Sequence, residues 1–85
     1  RKRIIAFNDA GRSRLMLNPE IIEAQGEYEA EEGCLSLTGT RKTRRYQRIT
    51  VLYLDEEFIE REERFTGFTA QIIQHEIDHC DGILI

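Results

Sequence analysis

Alternation of apolar and polar residues predicts that most of the chain forms short β-strands. The pattern is clearest in four segments, residues 2–8, 14–18, 48–54 and 58–65. Residues 21–31 alternate irregularly around Gly26, which predicts two short strand pieces joined by a turn or bulge. The last two clear segments should pair antiparallel, because only a short acidic turn at residues 55–57 separates them.

Turn and loop residues interrupt this pattern and set the expected order of elements. The run Asn8-Asp9-Ala10-Gly11 should end the first strand, and Pro19 should stop the second. Residues 32–40, with glycines at 33 and 39, are typical of a loop.

One helix is predicted near the C-terminal end, over residues 68–80. Ile72, Ile73 and Ile77 supply its buried surface, and Gly82 lies where a C-cap glycine would end it. Several strands followed by one helix indicate an α+β fold, in which antiparallel β-strands pack around one C-terminal helix.

Length and charge limit the classes of protein to consider. With 85 residues the chain should form one domain, residues 1–85. Its net charge of −4 argues against a general polyanion binder, so no DNA partner is expected. No apolar run is long enough to span a bilayer, so no membrane partner is expected either. The absence of a signal peptide and the two cysteines indicate a reducing compartment, the cytoplasm.

The segment His75-Glu76-Ile77-Asp78-His79 carries the clearest chemistry in the sequence. Residues at i and i+4 share one helix face, so both imidazoles can reach one ion. Glu76 is placed to take a proton from a water at that ion and to pass it to a leaving group. The alternative is a helix with two surface histidines, but the pattern is specific enough to favour a metal site.

A catalytic ion of this kind needs a third protein ligand and an open position. Cys34 is the best candidate, because the neighbouring Gly33 lets the backbone approach an ion or a substrate. The alternative for Cys34 is a small buried apolar residue. Cys80 is the rival ligand, but directly after His79 it points about 100° away from the histidine face. We therefore interpret Cys80 as a core residue.

Two motifs together resemble the second and third signature motifs of the peptide deformylases. They are Glu-Gly-Cys-Leu-Ser at residues 32–36 and His-Glu-Ile-Asp-His at residues 75–79. The similarity extends to the Ile4-Ile5 strand and the Leu17-Asn18-Pro19 turn. The resemblance implies a metal-dependent hydrolase that acts on the N-formyl-methionyl end of a nascent polypeptide and releases formate.

The resemblance also implies a role for individual residues. Cys34, His75 and His79 would bind the metal, Glu76 would be the general acid and base, and the backbone N–H of Leu35 would help to hold the oxyanion. The cofactor would be one divalent metal ion, with Fe²⁺ used in the cell and Ni²⁺, Co²⁺ or Zn²⁺ able to replace it.

The sequence departs from the family pattern in two places. The first motif, a Gly-rich stretch ending in a Gln that supplies the other oxyanion donor, does not occur in these 85 residues. We therefore expect a fragment of a longer product, for which the missing N-terminal segment is an intramolecular partner. Residues 37–41 (Leu-Thr-Gly-Thr-Arg) replace the usual apolar-Pro pair, which indicates a divergent, deformylase-like subgroup with an altered substrate groove.

Further side chains around these motifs have two interpretations each. Phe68 and Ile72 share the histidine face, so with Gly33 they could contact the substrate, or they could pack in the core. Asp78 could pair with Arg45, or both could be solvated. Glu32 could orient the site.

Four functions remain open from the sequence. The leading one is the deformylase, and the second is a catalytically weak or inactive deformylase-like protein that binds metal and N-terminal peptides. The third is a zinc protease of another kind. The fourth is an RNA-binding module that uses the basic run at residues 41–48, which could also touch the ribosome surface, although we prefer a solvated strand face there.

Overall fold

The fold is an antiparallel sheet covered on one face by a helix. A computed structural model describes residues 3–33 and 40–80. Within them lie β1 (Ile4–Asp9), β2 (Arg12–Gly33), β3 (Thr40–Leu54), β4 (Glu60–Thr66) and α1 (Gly67–Cys80). The strands pair antiparallel in the order β1-β2-β3-β4. The predicted α+β fold is therefore confirmed.

The core forms where the sheet meets α1. Alternate residues of the strands share one face, and helix residues three and four apart share another, so the two apolar sets meet. Half-buried Ile72 and Cys80 pack at the margin of this core, as predicted for Cys80. The buried residues of the core are Ile5, Phe7, Met16, Ile49, Val51, Tyr53, Phe65, Ala70, Ile73 and Ile77.

β2 continues through both places where the sequence predicted an interruption. At Pro19 the register against β3 shifts between Leu17 and Glu20, and Asn18 takes a φ of 49°. A bulge tolerates proline because the extra residue leaves the hydrogen-bond ladder. At Gly26, with a φ of 76°, a Cβ would lie 2.9 Å from the Cβ of Gln47. The glycine thus permits close strand pairing, and the prediction of two separate strand pieces was wrong.

Other strand boundaries also differ from the prediction. Glu32 and Gly33 end β2 and Thr40 begins β3, so both ends of the predicted loop 32–40 belong to strands, and β3 starts earlier than residue 48. β4 begins at Glu60, two residues later than predicted. Phe58 adopts a φ of 63° in the preceding turn, which takes it out of the strand. Pairing with β2 thus extends β3 beyond the segment that the apolar pattern predicted.

The helix boundary agrees closely with the sequence. α1 spans Gly67–Cys80 against a prediction of 68–80. Gly82, the predicted C-cap, lies outside the described residues. In the described part of the chain, α1 falls short of the length and apolarity that a bilayer-crossing helix needs.

Candidate metal centre

Three potential ligand groups meet on the exposed side of α1. One donor atom each from His75, Glu76 and His79 lies within 4.8 Å of the others. The two imidazole rings are 4.2 Å apart between centroids, with an interplanar angle of 66°. All three residues are half-buried. Because positions i and i+4 lie one helical turn apart, the fold brings the histidines together as the spacing predicted.

A carboxylate from β2 contacts the first histidine. Oε1 of Glu32 lies 2.9 Å from Nδ1 of His75. The same carboxylate accepts two hydrogen bonds from Arg45, from Nε at 2.9 Å and from Nη2 at 2.7 Å. Nε2 of Gln71 donates a fourth at 3.0 Å. Each Glu32 oxygen thus accepts two hydrogen bonds, which fills the acceptor capacity of a carboxylate.

Burial and hydrogen bonding act in opposite directions on Glu32. Burial raises the pKa of Glu32, while hydrogen bonds from Arg45, His75 and Gln71 lower it and prevail, giving a pKa of about 2. Glu32 is therefore ionised at neutral pH and can only accept hydrogen bonds.

This charge state determines how His75 can bind an ion. Since Glu32 is only an acceptor, Nδ1 of His75 must be the donor in their contact. The neutral ring then carries its lone pair on Nε2, which is the form that binds a metal. A carboxylate on the other ring nitrogen is the usual support for a ligating histidine. The two imidazoles, with the Glu76 carboxylate close by, therefore fit a divalent cation.

Arg45 links this site to the next turn of α1. Its Nη1 donates to Oδ2 of Asp78 at 2.7 Å, while the rest of the guanidinium holds Glu32. The Arg45 side chain is only 4% exposed and that of Asp78 is 25% exposed, so the pair is largely removed from solvent. The hypothesis that Asp78 pairs with Arg45 is confirmed, and Glu32 does contact the site as suggested.

Gln74, which directly precedes the histidine motif, has a structural role that the sequence did not predict. Its side-chain amide accepts from the backbone N–H of Tyr46 and donates to the Tyr46 carbonyl, both at 2.9 Å. β4 pairs with β3 only from Arg48 onward. At Tyr46, where β4 does not pair with β3, the Gln74 amide therefore takes the backbone hydrogen bonds that a neighbouring strand would make. These bonds fix α1 beside β3 at the residue before His75. The one available signal was a polar side chain at helical spacing from Ala70 and Ile77, on the face of α1 that packs in the core.

A groove runs beside the imidazoles. It has a volume of about 370 Å³, within the usual range for small-ligand sites. Phe68 is 74% exposed and Ile72 is half-buried. Both lie on the groove wall, so Ile72 is less buried than predicted. The lining residues are Glu31, Glu32, Phe68, Gln71, Ile72, His75 and Glu76.

Three predicted site residues lie at or beyond the edge of the described chain. Gly33 ends β2, where its backbone pairs opposite Thr40. Cys34 and Leu35 lie outside the described residues.

Two residues of the basic run pair with glutamates of β2. Arg44 contacts Glu27 at 3.1 Å, and Lys42 lies 4.0 Å from Glu29 across the two strands. Arg45 is buried beneath α1. These cross-strand pairs and the burial of Arg45 agree with the preferred interpretation of this run as a strand face.

Comparison with known proteins gives a consistent result. The family model described as polypeptide deformylase matches residues 1–85. The peptide deformylase of Clostridium beijerinckii is 52% identical over 85 residues, which are 100% of this chain and 62% of that protein. Peptide deformylase 1 of Clostridium perfringens is 45% identical, over 98% of this chain and 58% of that protein. The chain therefore spans about three fifths of the length of these relatives.

Solved structures agree with the sequence relatives. The peptide deformylase of Thermotoga maritima superposes with a TM-score of 0.86 and 34% identity, over 96% of this chain and 57% of that one. A class I type b peptide deformylase from Acinetobacter baumannii superposes with a TM-score of 0.85 and 38% identity, over 98% of this chain and 58% of that one. Because the family model and the relative from Clostridium beijerinckii both match all 85 residues, this chain belongs to the polypeptide deformylase family.

Proposed function

We propose that this chain carries the catalytic centre of a deformylase, which removes the N-formyl group from the formyl-methionyl end of new polypeptides. The single observation that carries the proposal is the cluster of His75, Glu76 and His79 beside a groove, with Nδ1 of His75 held by Glu32. The relatives that carry the name peptide deformylase support the choice of reaction.

His75 and His79 would hold one divalent cation, together with Cys34 as the third ligand. Cys34 follows Glu32 by two positions in the sequence, and the Glu32 carboxylate contacts His75; this proximity along the chain supports its role. The bound cation would supply Lewis acidity, lowering the pKa of a neighbouring water molecule and polarising the formyl carbonyl. Fe²⁺ is the proposed ion in the cell, with Zn²⁺, Ni²⁺ or Co²⁺ as replacements.

Glu76 would move the proton that the reaction requires. Its carboxylate lies within 4.8 Å of the imidazole nitrogens, close enough to accept a proton from the attacking water. The water oxygen bonds to the formyl carbon, the C–N bond breaks, and Glu76 returns the proton to the departing amine. The backbone N–H of Leu35 would donate to the oxyanion.

Phe68, Ile72 and Gly33 would contact the substrate. Phe68 and Ile72 form an apolar stretch of groove wall next to His75 and Glu76, which suits a methionine side chain. The proposed partner is the N-terminus of a nascent polypeptide, which the protein would meet in the cytoplasm near the ribosome surface. The N-terminal segment of the whole protein would be an intramolecular partner of this site.

The test is formate release from a formyl-Met peptide by anaerobically prepared, metal-loaded protein. We expect Glu76→Gln to retain the metal and to lose activity by roughly 10²–10⁴-fold, the usual contribution of a general acid–base. His79→Ala should lose the metal itself. Asp9→Asn, at the far end of the sheet, is the matched control and should keep both.

The other functions appear as distinct outcomes. Metal without formate would support a weak or inactive peptide-binding relative. Cleavage of unformylated peptides would support a protease. Retention on RNA that falls steeply with salt, without bound metal, would support an RNA-binding module.

A further inference from the structure

Gln71 occupies a position between the groove and the carboxylate that holds His75. It lies four residues before His75 on α1, so both side chains project from the same helix face. Gln71 lines the groove together with Phe68 and Ile72. Unlike these two apolar neighbours, Gln71 has an amide that is engaged at both ends.

The amide joins β2 to the site. The hydroxyl of Tyr28 donates to Oε1 of Gln71 at 3.2 Å. Nε2 of Gln71 in turn donates to Oε2 of Glu32 at 3.0 Å. A carboxylate needs a donor, so the nitrogen of the amide must face Glu32, and Tyr28 then meets the oxygen. The two contacts agree on one orientation of the amide.

This amide supplies one of the four hydrogen bonds that orient the Glu32 carboxylate. Arg45 donates to both of its oxygens, His75 contacts Oε1, and Gln71 provides the remaining hydrogen bond at Oε2. Without Gln71, Oε2 loses one of its two donors, and the carboxylate can turn to recover another. Such a rotation of the carboxylate moves Oε1 relative to Nδ1 of His75. The contact between these two atoms sets the direction of the imidazole.

We propose that Gln71, oriented by Tyr28, is a positioning residue that aligns His75 for the metal through Glu32. This inference rests on the proposed function, because it concerns the same metal centre. It adds two residues that lie outside both signature motifs. Groups that contact a ligating histidine directly change metal affinity by about 10–100-fold. Gln71 acts one contact further away, so its effect should be smaller, roughly three- to tenfold.

The test compares Co²⁺ binding in the complete protein and two variants. Gln71→Met keeps the length of the side chain and removes both hydrogen bonds, while Tyr28→Phe removes only the hydroxyl. Affinity is measured by competition with a chelator, and ligand geometry by the visible absorption spectrum of bound Co²⁺. We expect about three- to tenfold weaker binding and a changed spectrum for Gln71→Met. Tyr28→Phe should change both in the same direction by about twofold.

Tyr53→Phe is the matched control, since it removes a hydrogen-bonded tyrosine hydroxyl from the opposite end of the core. It should leave the Co²⁺ affinity and spectrum unchanged. A Gln71→Met protein with wild-type Co²⁺ affinity and spectrum would overturn the proposal. A lower melting temperature with unchanged Co²⁺ binding would mean that Gln71 contributes only to packing.

A metal-independent measurement separates this proposal from the proposed function. In metal-free protein, the Nδ1–H proton of His75 should give a slowly exchanging NMR resonance, which Gln71→Met weakens or abolishes. If wild-type protein fails to bind Co²⁺, the proposed function fails, and the resonance still decides the positioning role. An unchanged resonance in Gln71→Met would refute that role.

Discussion

Two arginine clusters lie at opposite ends of the helix-covered face, and they differ in what they hold. The Arg45 cluster consists of Arg45, Glu32, Asp78, Gln71 and His75. The Arg14 cluster consists of Arg14, Asp9, Glu63 and Tyr53. Each centres on a guanidinium that binds a glutamate with two nitrogens, the strongest ion-pair geometry available to arginine.

The Arg14 cluster joins strand to strand. Arg14 on β2 reaches Asp9 at the end of β1 and Glu63 on β4, at 3.1 and 2.7 Å. Its guanidinium also lies over the rings of Phe7 and Phe65, 5.8 and 5.4 Å from their centroids. This arrangement closes the end of the core and keeps partial contact with solvent, since the Arg14 side chain is 19% exposed.

The Arg45 cluster joins the sheet to the helix. Glu32 and Arg45 are nearly fully buried, and the network ends on a ring nitrogen of His75. Burying an ion pair this deeply adds little stability by itself, because the cost of removing both charges from water offsets their attraction. What it provides is a fixed direction for an imidazole. Similar chemistry thus serves sheet closure at one end and site geometry at the other.

Removing each arginine should give the largest contrast in stability. Arg45→Met leaves Glu32 charged and unpaired in a buried place, which typically costs about 3–5 kcal/mol. Arg14→Met leaves groups that water can reach, so its cost should be about 1.5 kcal/mol, at the low end for hydrogen bonds to charged groups. Urea unfolding of both variants measures the difference. Equal losses of unfolding free energy in the two variants would show that the two clusters do not differ in stability because of their depth of burial.

Neutralising each glutamate should separate the two roles in metal binding. Glu32→Gln replaces the acceptor that holds Nδ1 of His75 with an amide, so metal affinity should fall about 10–100-fold. Glu63→Gln, the matched change in the Arg14 cluster, should leave metal affinity unchanged. Titration with Zn²⁺ against a chelator measures both. Equal affinities for the two variants would contradict the role given to the Arg45 cluster.

Acid should weaken the Arg14 cluster in a defined direction. Hydrogen bonding from Arg14 lowers the pKa of Glu63 relative to its ordinary value. A lowered folded-state pKa means that stabilisation is present above the unfolded pKa, about 4.3, and is lost as the pH falls through the folded value. The free energy of unfolding should therefore drop below about pH 4.5.

The same pH series in Glu63→Gln should show a shallower acid slope, because that side chain no longer titrates. Denaturant unfolding between neutral and acidic pH is the measurement. Parallel slopes for the variant and the wild type would mean that other carboxylates account for the acid sensitivity.

The smallest effect is expected on the solvated strand face. Arg44→Ala breaks the exposed pair with Glu27, in which the side chains are 73% and 51% exposed. Exposed pairs contribute about 0–1 kcal/mol, so unfolding free energy should change by less than about 0.5 kcal/mol. A larger loss would place the basic run among the structural clusters rather than on a solvated face.

The sequence alone determined the local features of this protein. Strand alternation and one helical segment gave the α+β fold, because side-chain periods of two residues in strands and 3.6 in helices are set by the backbone. The spacing of His75 and His79 fixed their shared face for the same reason. The two motifs alone indicated the deformylase family.

Tertiary structure decided the features that depend on distant residues. The long β2 strand passes Pro19 and Gly26 because pairing with β3 accommodates both. Gln74 binds the Tyr46 backbone, and Gln71 reaches Glu32, across 28 and 39 positions of the chain. The local sequence names neither partner, since an amide pairs with whatever polar group the fold places beside it. The sequence could therefore name the chemical groups of the site, and only packing could set how they are oriented.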